Sequence, residues 1–141
     1  MGGEGKTYSL AGFAVPGELD HVHQLLERVG ADHDGLDPMD LMLFETAVIE
    51  IANNVVEHGR PAGEVRWQFE VRVTDDAIVA ELVDSGHEFE PHLQGEMPSE
   101  DAEGGRGLLL AQAALDELEW SRTPAGNRWR MVRNLGHLTE A

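Results

Sequence analysis

Glu50, Asn54 and His58 recur at intervals of four residues inside LMLFETAVIEIANNVVEHG, the stretch from Leu41 to Gly59. On an α-helix such a spacing stacks the three groups about one turn apart, as a polar ladder. A Glu can take a proton from an attacking hydroxyl, and an Asn carbonyl is a hard oxygen suited to Mg²⁺. The plain alternative is a solvated polar face with Glu57 and His58 fraying into the following loop. Phe44, Val48, Ile51 and Val55 step by four, three and four on another side, and Leu41, Ala47 and Ala52 widen that side into a stripe. The pattern predicts a long amphipathic helix packed on a sheet, with Asp37 as its cap and Pro38 in its first turn.

Three later stretches carry further candidate chemistry. Asp84-Ser85-Gly86 closes an apolar strand, so a carboxylate stands at a strand end beside a glycine turn. Such a carboxylate accepts from an exocyclic amine, which adenine offers at a position where guanine does not; an Asx-turn without a ligand is the alternative. Gly104-Gly105-Arg106-Gly107 opens a helix, where free N–H groups and the dipole end face anions, or forms a simple loop. Gly126-Asn127 turns into the last strand. A P-loop is excluded: Lys6 is the only lysine, and no Gly-x-x-x-x-Gly-Lys-Ser occurs.

The order and type of these four boxes resemble the nucleotide-binding boxes of the gyrase–Hsp90–histidine-kinase–MutL ATPase superfamily. The small size resembles its bacterial anti-sigma-factor serine/threonine kinases, over about Ser9 to Leu135. That resemblance implies ATP and Mg²⁺ as cofactors. It makes Glu50 the general base, Asn54 the metal ligand, and Asp84 and Gly86 the adenine turn. Gly104, Gly105, Arg106 and Gly107 become the phosphate turn, His58 a residue often histidine in this branch, and Asn127 a stand-in for a threonine near adenine. It implies a kinase that phosphorylates an antagonist protein and holds a sigma factor, with a homodimer as one possible assembly. Two departures, Glu88 where a second glycine is usual and Asn127, favour the alternative, a non-catalytic nucleotide-binding module that sequesters a partner. The catalytic half of a histidine kinase is a third reading; the sequence shows no upstream helix pair with a phosphoacceptor His.

Composition bounds these readings. A chain of 141 residues holds one domain with a real core. The net charge of −17 argues against direct nucleic-acid binding and suits a basic protein partner or plain solubility. Zero cysteines exclude disulfides and thiolate chemistry, and the seven histidines form no H-x-x-x-H or HExxH pair. With neither a signal peptide nor a membrane-length apolar run in view, a cytoplasmic protein is expected.

The remaining elements follow from periodicity. Residues 1–7 are expected to be flexible, and 8–141 to form one domain. Tyr8–Val15 reads as a strand with Gly12 as a bulge, and Pro16–Val29 as a helix stopped by Gly30. Glu64–Val73 alternates throughout as a strand with one wet face, and Ala77–Val83 returns as a more fully buried strand on which Glu81 has no obvious reason to lie. From Glu81 to Glu103 there are eight acids and no Lys or Arg, with Pro91, Gly95 and Pro98 among them, so a lid loop is expected at about 87–107. Leu108–Leu115 reads as a helix, and Glu117–Arg122 with Asn127–Arg133 as a final hairpin. The order predicts an α+β two-layer sandwich, a mostly antiparallel (mixed) sheet covered on one face by helices.

Overall fold

The computed structural model describes residues 6–88 and 103–135, with side chains of 103–106 excepted. Five strands, β1 (Thr7–Phe13), β2 (Arg66–Val73), β3 (Ala77–Asp84), β4 (Glu117–Thr123) and β5 (Gly126–Asn134), form one sheet. Their spatial order is β1-β2-β3-β5-β4, and every neighbouring pair is antiparallel. Three helices, α1 (Leu19–Asp32), α2 (Pro38–His58) and α3 (Glu103–Ala114), complete the α+β fold. It is the expected sandwich, without the parallel pair that a mixed sheet would include.

α2 forms as its signals dictate. The Asp37 side chain accepts from the Met39 N–H at 2.8 Å, satisfying one orphan donor of the first turn, and Pro38 occupies that turn. Phe44, Val48, Ile51 and Val55 are buried in one cluster with Phe69, Val71, Ile78, Leu82, Trp129 and Met131 of the sheet. Phe44 is wholly buried, so truncating it to Ala should cost about 3–5 kcal/mol. Arg133 anchors the helix at its start: its guanidinium donates to Asp40 Oδ1 through Nε at 2.9 Å and Nη2 at 2.8 Å, and to the Ala114 carbonyl at 2.8 Å. One cation on β5 thereby ties the first turn of α2 to the last residue of α3.

Period-2 alternation in β2 is realised as read, with Trp67, Phe69, Val71 and Val73 buried. β3 departs from expectation. Its odd-numbered residues are only half buried, because they lie on the sheet face that none of the described helices covers. Glu81 belongs to that face and pairs with Arg128, which accounts for a carboxylate on an apolar strand. The uncovered face carries Arg66, Arg72, Arg128 and Arg130 against Glu70, Glu81, Glu117 and Glu119, equal numbers of each sign.

Two glycines act through close approach where a stop and a bulge were expected. A single 3₁₀ turn, Pro16–Glu18, precedes α1, which runs on past Gly30 to Asp32. A methyl group on Gly30 would meet Leu41 Cδ2 at 2.9 Å, so this glycine lets α1 lie close to α2. Gly12 sits in regular register opposite Trp67, and its missing side chain leaves room for the Glu18 carboxylate. β1 ends at Phe13, two residues earlier than expected.

Candidate functional site

Glu50, Asn54 and His58 all lie on α2. Glu50 is half buried, Asn54 is 5% exposed, and His58 is exposed at the helix end with Nε2 3.7 Å from Glu57 Oε1. Asn54 Nδ2 is buried and has no hydrogen-bond partner among the described residues. A donor left in that state costs about 1–3 kcal/mol, so it marks a place that a ligand acceptor would complete.

The glycine box meets this ladder. α3 begins at Glu103, five residues before the expected start, so Gly104, Gly105, Arg106 and Gly107 lie within the helix and do not precede it. A Cβ on Gly107 would sit 2.5 Å from Glu50 Oε1, so any other residue there would have to push the carboxylate out of this position. Residues 103–107 of the expected lid are thus helical, and 89–102 lie outside the described residues. The side chain of Arg106 also lies outside them.

Asp84 ends β3 and is 3% exposed. Its Oδ1 accepts from the Gly86 N–H at 2.9 Å and from Asn127 Nδ2 at 3.0 Å; its Oδ2 accepts from Trp129 Nε1 at 3.3 Å. Cross-strand register makes this possible, since Asp84 lies directly opposite Asn127. Asn127 Nδ2 also reaches the carbonyls of His87 at 2.9 Å and Gly86 at 3.4 Å, and Arg122 Nη1 donates to the Gly86 carbonyl at 2.8 Å. Gly126, at φ 137°, holds a conformation that suits glycine, and a side chain there would collide with the Asp84 carbonyl.

Backbone contacts join the Asp84 turn to the end of α2. The His87 N–H donates to the Arg60 carbonyl at 2.9 Å, and a Cβ on Gly86 would lie 3.3 Å from that same oxygen. The structure therefore gathers Asp84, Gly86 and Asn127 into one cluster, Glu50 and Gly107 into a second, and places both beside α2. Sequence reading missed Arg122 and Trp129. A signal existed, because Asn127 and Trp129 are two apart and share the strand face that meets Asp84.

The Histidine kinase-like ATPase domain model matches residues 14–133, which spans all the boxes above. The chain belongs to that family. Among solved structures, the RsbU and RsbW domains of Rv1364c from Mycobacterium tuberculosis superpose with a TM-score of 0.67 at 19% identity. The match covers 92% of this chain and 32% of that one. The histidine kinase domain of the Erythrobacter litoralis EL346 blue-light activated histidine kinase gives 0.56 at 12% identity, covering 83% of this chain and 60% of that one. At these identities the likeness is one of fold. No curated protein matches the sequence.

The residues of this histidine kinase-like ATPase fit a nucleotide with its metal. Asn54 offers a hard oxygen and a donor with no partner among the described residues, and Asp84 a buried acceptor at a strand end. Among the described residues no cluster of His, Cys, Asp and Glu could hold a metal alone, so a bound Mg²⁺ would draw most of its ligands from phosphate and water. No described helix is long and apolar enough to cross a membrane.

Proposed function

We propose that this chain is an ATP-dependent protein serine/threonine kinase that phosphorylates an antagonist protein and, unoccupied by that antagonist, holds a sigma factor. The observation that carries the reading is the Glu50 carboxylate set against Gly107 of α3, one helical turn from the Asn54 amide, whose Nδ2 has no partner among the described residues. ATP bound with Mg²⁺ would supply the phosphoryl group and the charge neutralisation. Glu50 takes the proton from the attacking seryl hydroxyl as its oxygen bonds to the γ-phosphorus and ADP departs. Asn54 would hold the metal through its amide oxygen and would donate from Nδ2 to a phosphate oxygen. Asp84 accepts from the adenine amine, Gly86 lets the base approach, and Gly104, Gly105, Arg106 and Gly107 face the phosphates. His58 closes the rim at the end of α2. The antagonist and sigma-factor assignments rest on family resemblance, supported by the likeness to a protein whose structure is described as containing an RsbW domain.

The experiment is transfer of labelled phosphate from ATP to a small antagonist protein encoded beside this chain. Glu50→Gln keeps the side chain's size and cannot accept the proton; it should bind ATP near-normally and transfer at least about a hundredfold more slowly. Parallel loss of ATP binding would make Glu50 a structural or metal-shell group. A second reading, a non-catalytic nucleotide-binding module, is favoured by Asn127, whose amide N–H groups serve Asp84 and the turn carbonyls. Undetectable transfer by the wild type, with ATP bound and the antagonist present, would decide for the module.

A further inference from the structure

Asp84 has almost no accepting capacity left. An ionised carboxylate has about four acceptor positions, two on each oxygen. Gly86 N–H and Asn127 Nδ2 fill both on Oδ1, and Trp129 Nε1 takes one of the two on Oδ2. Among the described residues no other donor reaches the carboxylate, which leaves one position, on Oδ2. We infer that Asn127 is the residue that makes this site reject guanine, by filling the acceptor position on Asp84 that a second base donor would need. The inference rests on the reading of Asp84 as the base-recognising group.

The chemistry is a matter of donor counts. Adenine presents a single exocyclic amine, and one acceptor position is enough to hold it. Guanine presents an N1–H and an N2 amine side by side, and a free carboxylate takes both at once, one on each oxygen. An aspartate by itself therefore does not favour adenine; a carboxylate with two open oxygens suits guanine better. Here Oδ1 is closed from within the protein. The Gly86 N–H belongs to the turn backbone, so Asn127 is the side chain whose removal reopens Oδ1. Asn127 is 2% exposed and also braces the turn through the His87 carbonyl, so it acts as a positioning residue and does not itself read the base.

The test is titration calorimetry of the full chain with the Mg²⁺ complexes of ATP, GTP and inosine triphosphate. Inosine keeps the N1–H of guanine and lacks its N2 amine. In the wild type, ATP should bind best, and GTP and inosine triphosphate should be equally poor, because the second donor finds no acceptor. Asn127→Ala should tighten GTP by about tenfold or more relative to inosine triphosphate. Asn127→Thr, which returns a hydroxyl donor toward Oδ1, should restore the wild-type pattern. A merely loosened pocket would move both purines alike, so an unchanged ratio in Asn127→Ala overturns the inference. The wild type alone also tests it: GTP binding about tenfold tighter than inosine triphosphate refutes a closed Oδ1, whether or not the variants fold. Wild-type protein that binds no nucleotide would instead overturn the assignment of Asp84, and the inference with it.

Discussion

Glu50 and Gly107 are matched to one another: the carboxylate of the first occupies space that any side chain on the second would take, with Oε1 2.5 Å from the position of the missing Cβ. The contact joins α2 to α3 at the point where the proposed base meets the glycine box. It also yields an experiment in which stability and activity move in opposite directions. Gly107→Ala puts a better helix former at a helical position, worth up to about 1 kcal/mol. The intruding methyl meets only the far end of the Glu50 side chain, which can swing away. The variant should melt at or above the wild-type temperature and have lost most of its phosphate transfer. Unimpaired transfer would show that Glu50 need not hold this position.

Asn54→Ala removes a buried donor that has no partner among the described residues. Denaturant unfolding without nucleotide should find the variant as stable as the wild type, or more stable by about 1 kcal/mol. ATP binding should weaken and cease to depend on Mg²⁺. A large loss of stability would assign the amide to the core and away from the ligand.

Arg133→Ala should destabilise the fold by about 3 kcal/mol, since it removes the guanidinium that pairs with the buried Asp40 carboxylate and holds the Ala114 carbonyl. Adding Asp40→Asn to that background should cost less than the two single changes summed. Strict additivity in urea would mean that the pair is not energetically coupled.

Tyr8 links β1 to the end of α1, its hydroxyl donating to Asp32 Oδ2 at 2.8 Å while Lys6 Nζ donates to the same oxygen at 3.0 Å. Burial, then the hydrogen bond to Asp32, push the phenol up to about 12 from 10.0. The native state therefore keeps a proton that the unfolded chain has lost. The corresponding stability is complete below pH 10 and disappears as pH rises toward about 12. Asp32 has the opposite sign: its hydrogen bonds from Tyr8 and Lys6 hold the carboxyl below the usual range, so that contribution fades as acid protonates it. Tyr8→Phe should be less stable by about 1 kcal/mol at pH 7 and show a shallower alkaline decline. Equal alkaline slopes in urea titrations would remove Tyr8 as the cause.

Much of the architecture was legible because it follows local periodicity. The 3.6-residue stripe of α2, its Asp37 cap and the strict alternation of β2 each reflect a single physical requirement, burial of one face. Strand order was not legible, since β1 finds β2 across more than fifty residues and nothing local encodes that pairing. The start of α3 was misplaced because three glycines read as a loop by propensity, whereas packing against α2 keeps them helical. Gly30 misled for a related reason: its use is to admit Leu41 from another helix, a contact no window around Gly30 contains. At the site, Glu50, Asn54 and Asp84 announced themselves as polar groups in apolar surroundings. Trp129 did not, because its ring belongs to the core and only Nε1 reaches Asp84.

The evenly signed sheet face has a consequence for how the molecule presents itself. Arginines and glutamates on its strands cancel, whereas residues 16–58, which form α1, α2 and the turns beside them, carry ten acids against the single Arg28. An object charged in this way has a polarity. Near a cationic surface it will turn like a compass needle, its uncovered strands pointing away, before any specific contact forms. Adsorbed on an anion-exchange matrix at low salt, it should therefore leave the strand face open to a labelling reagent and shield the rest.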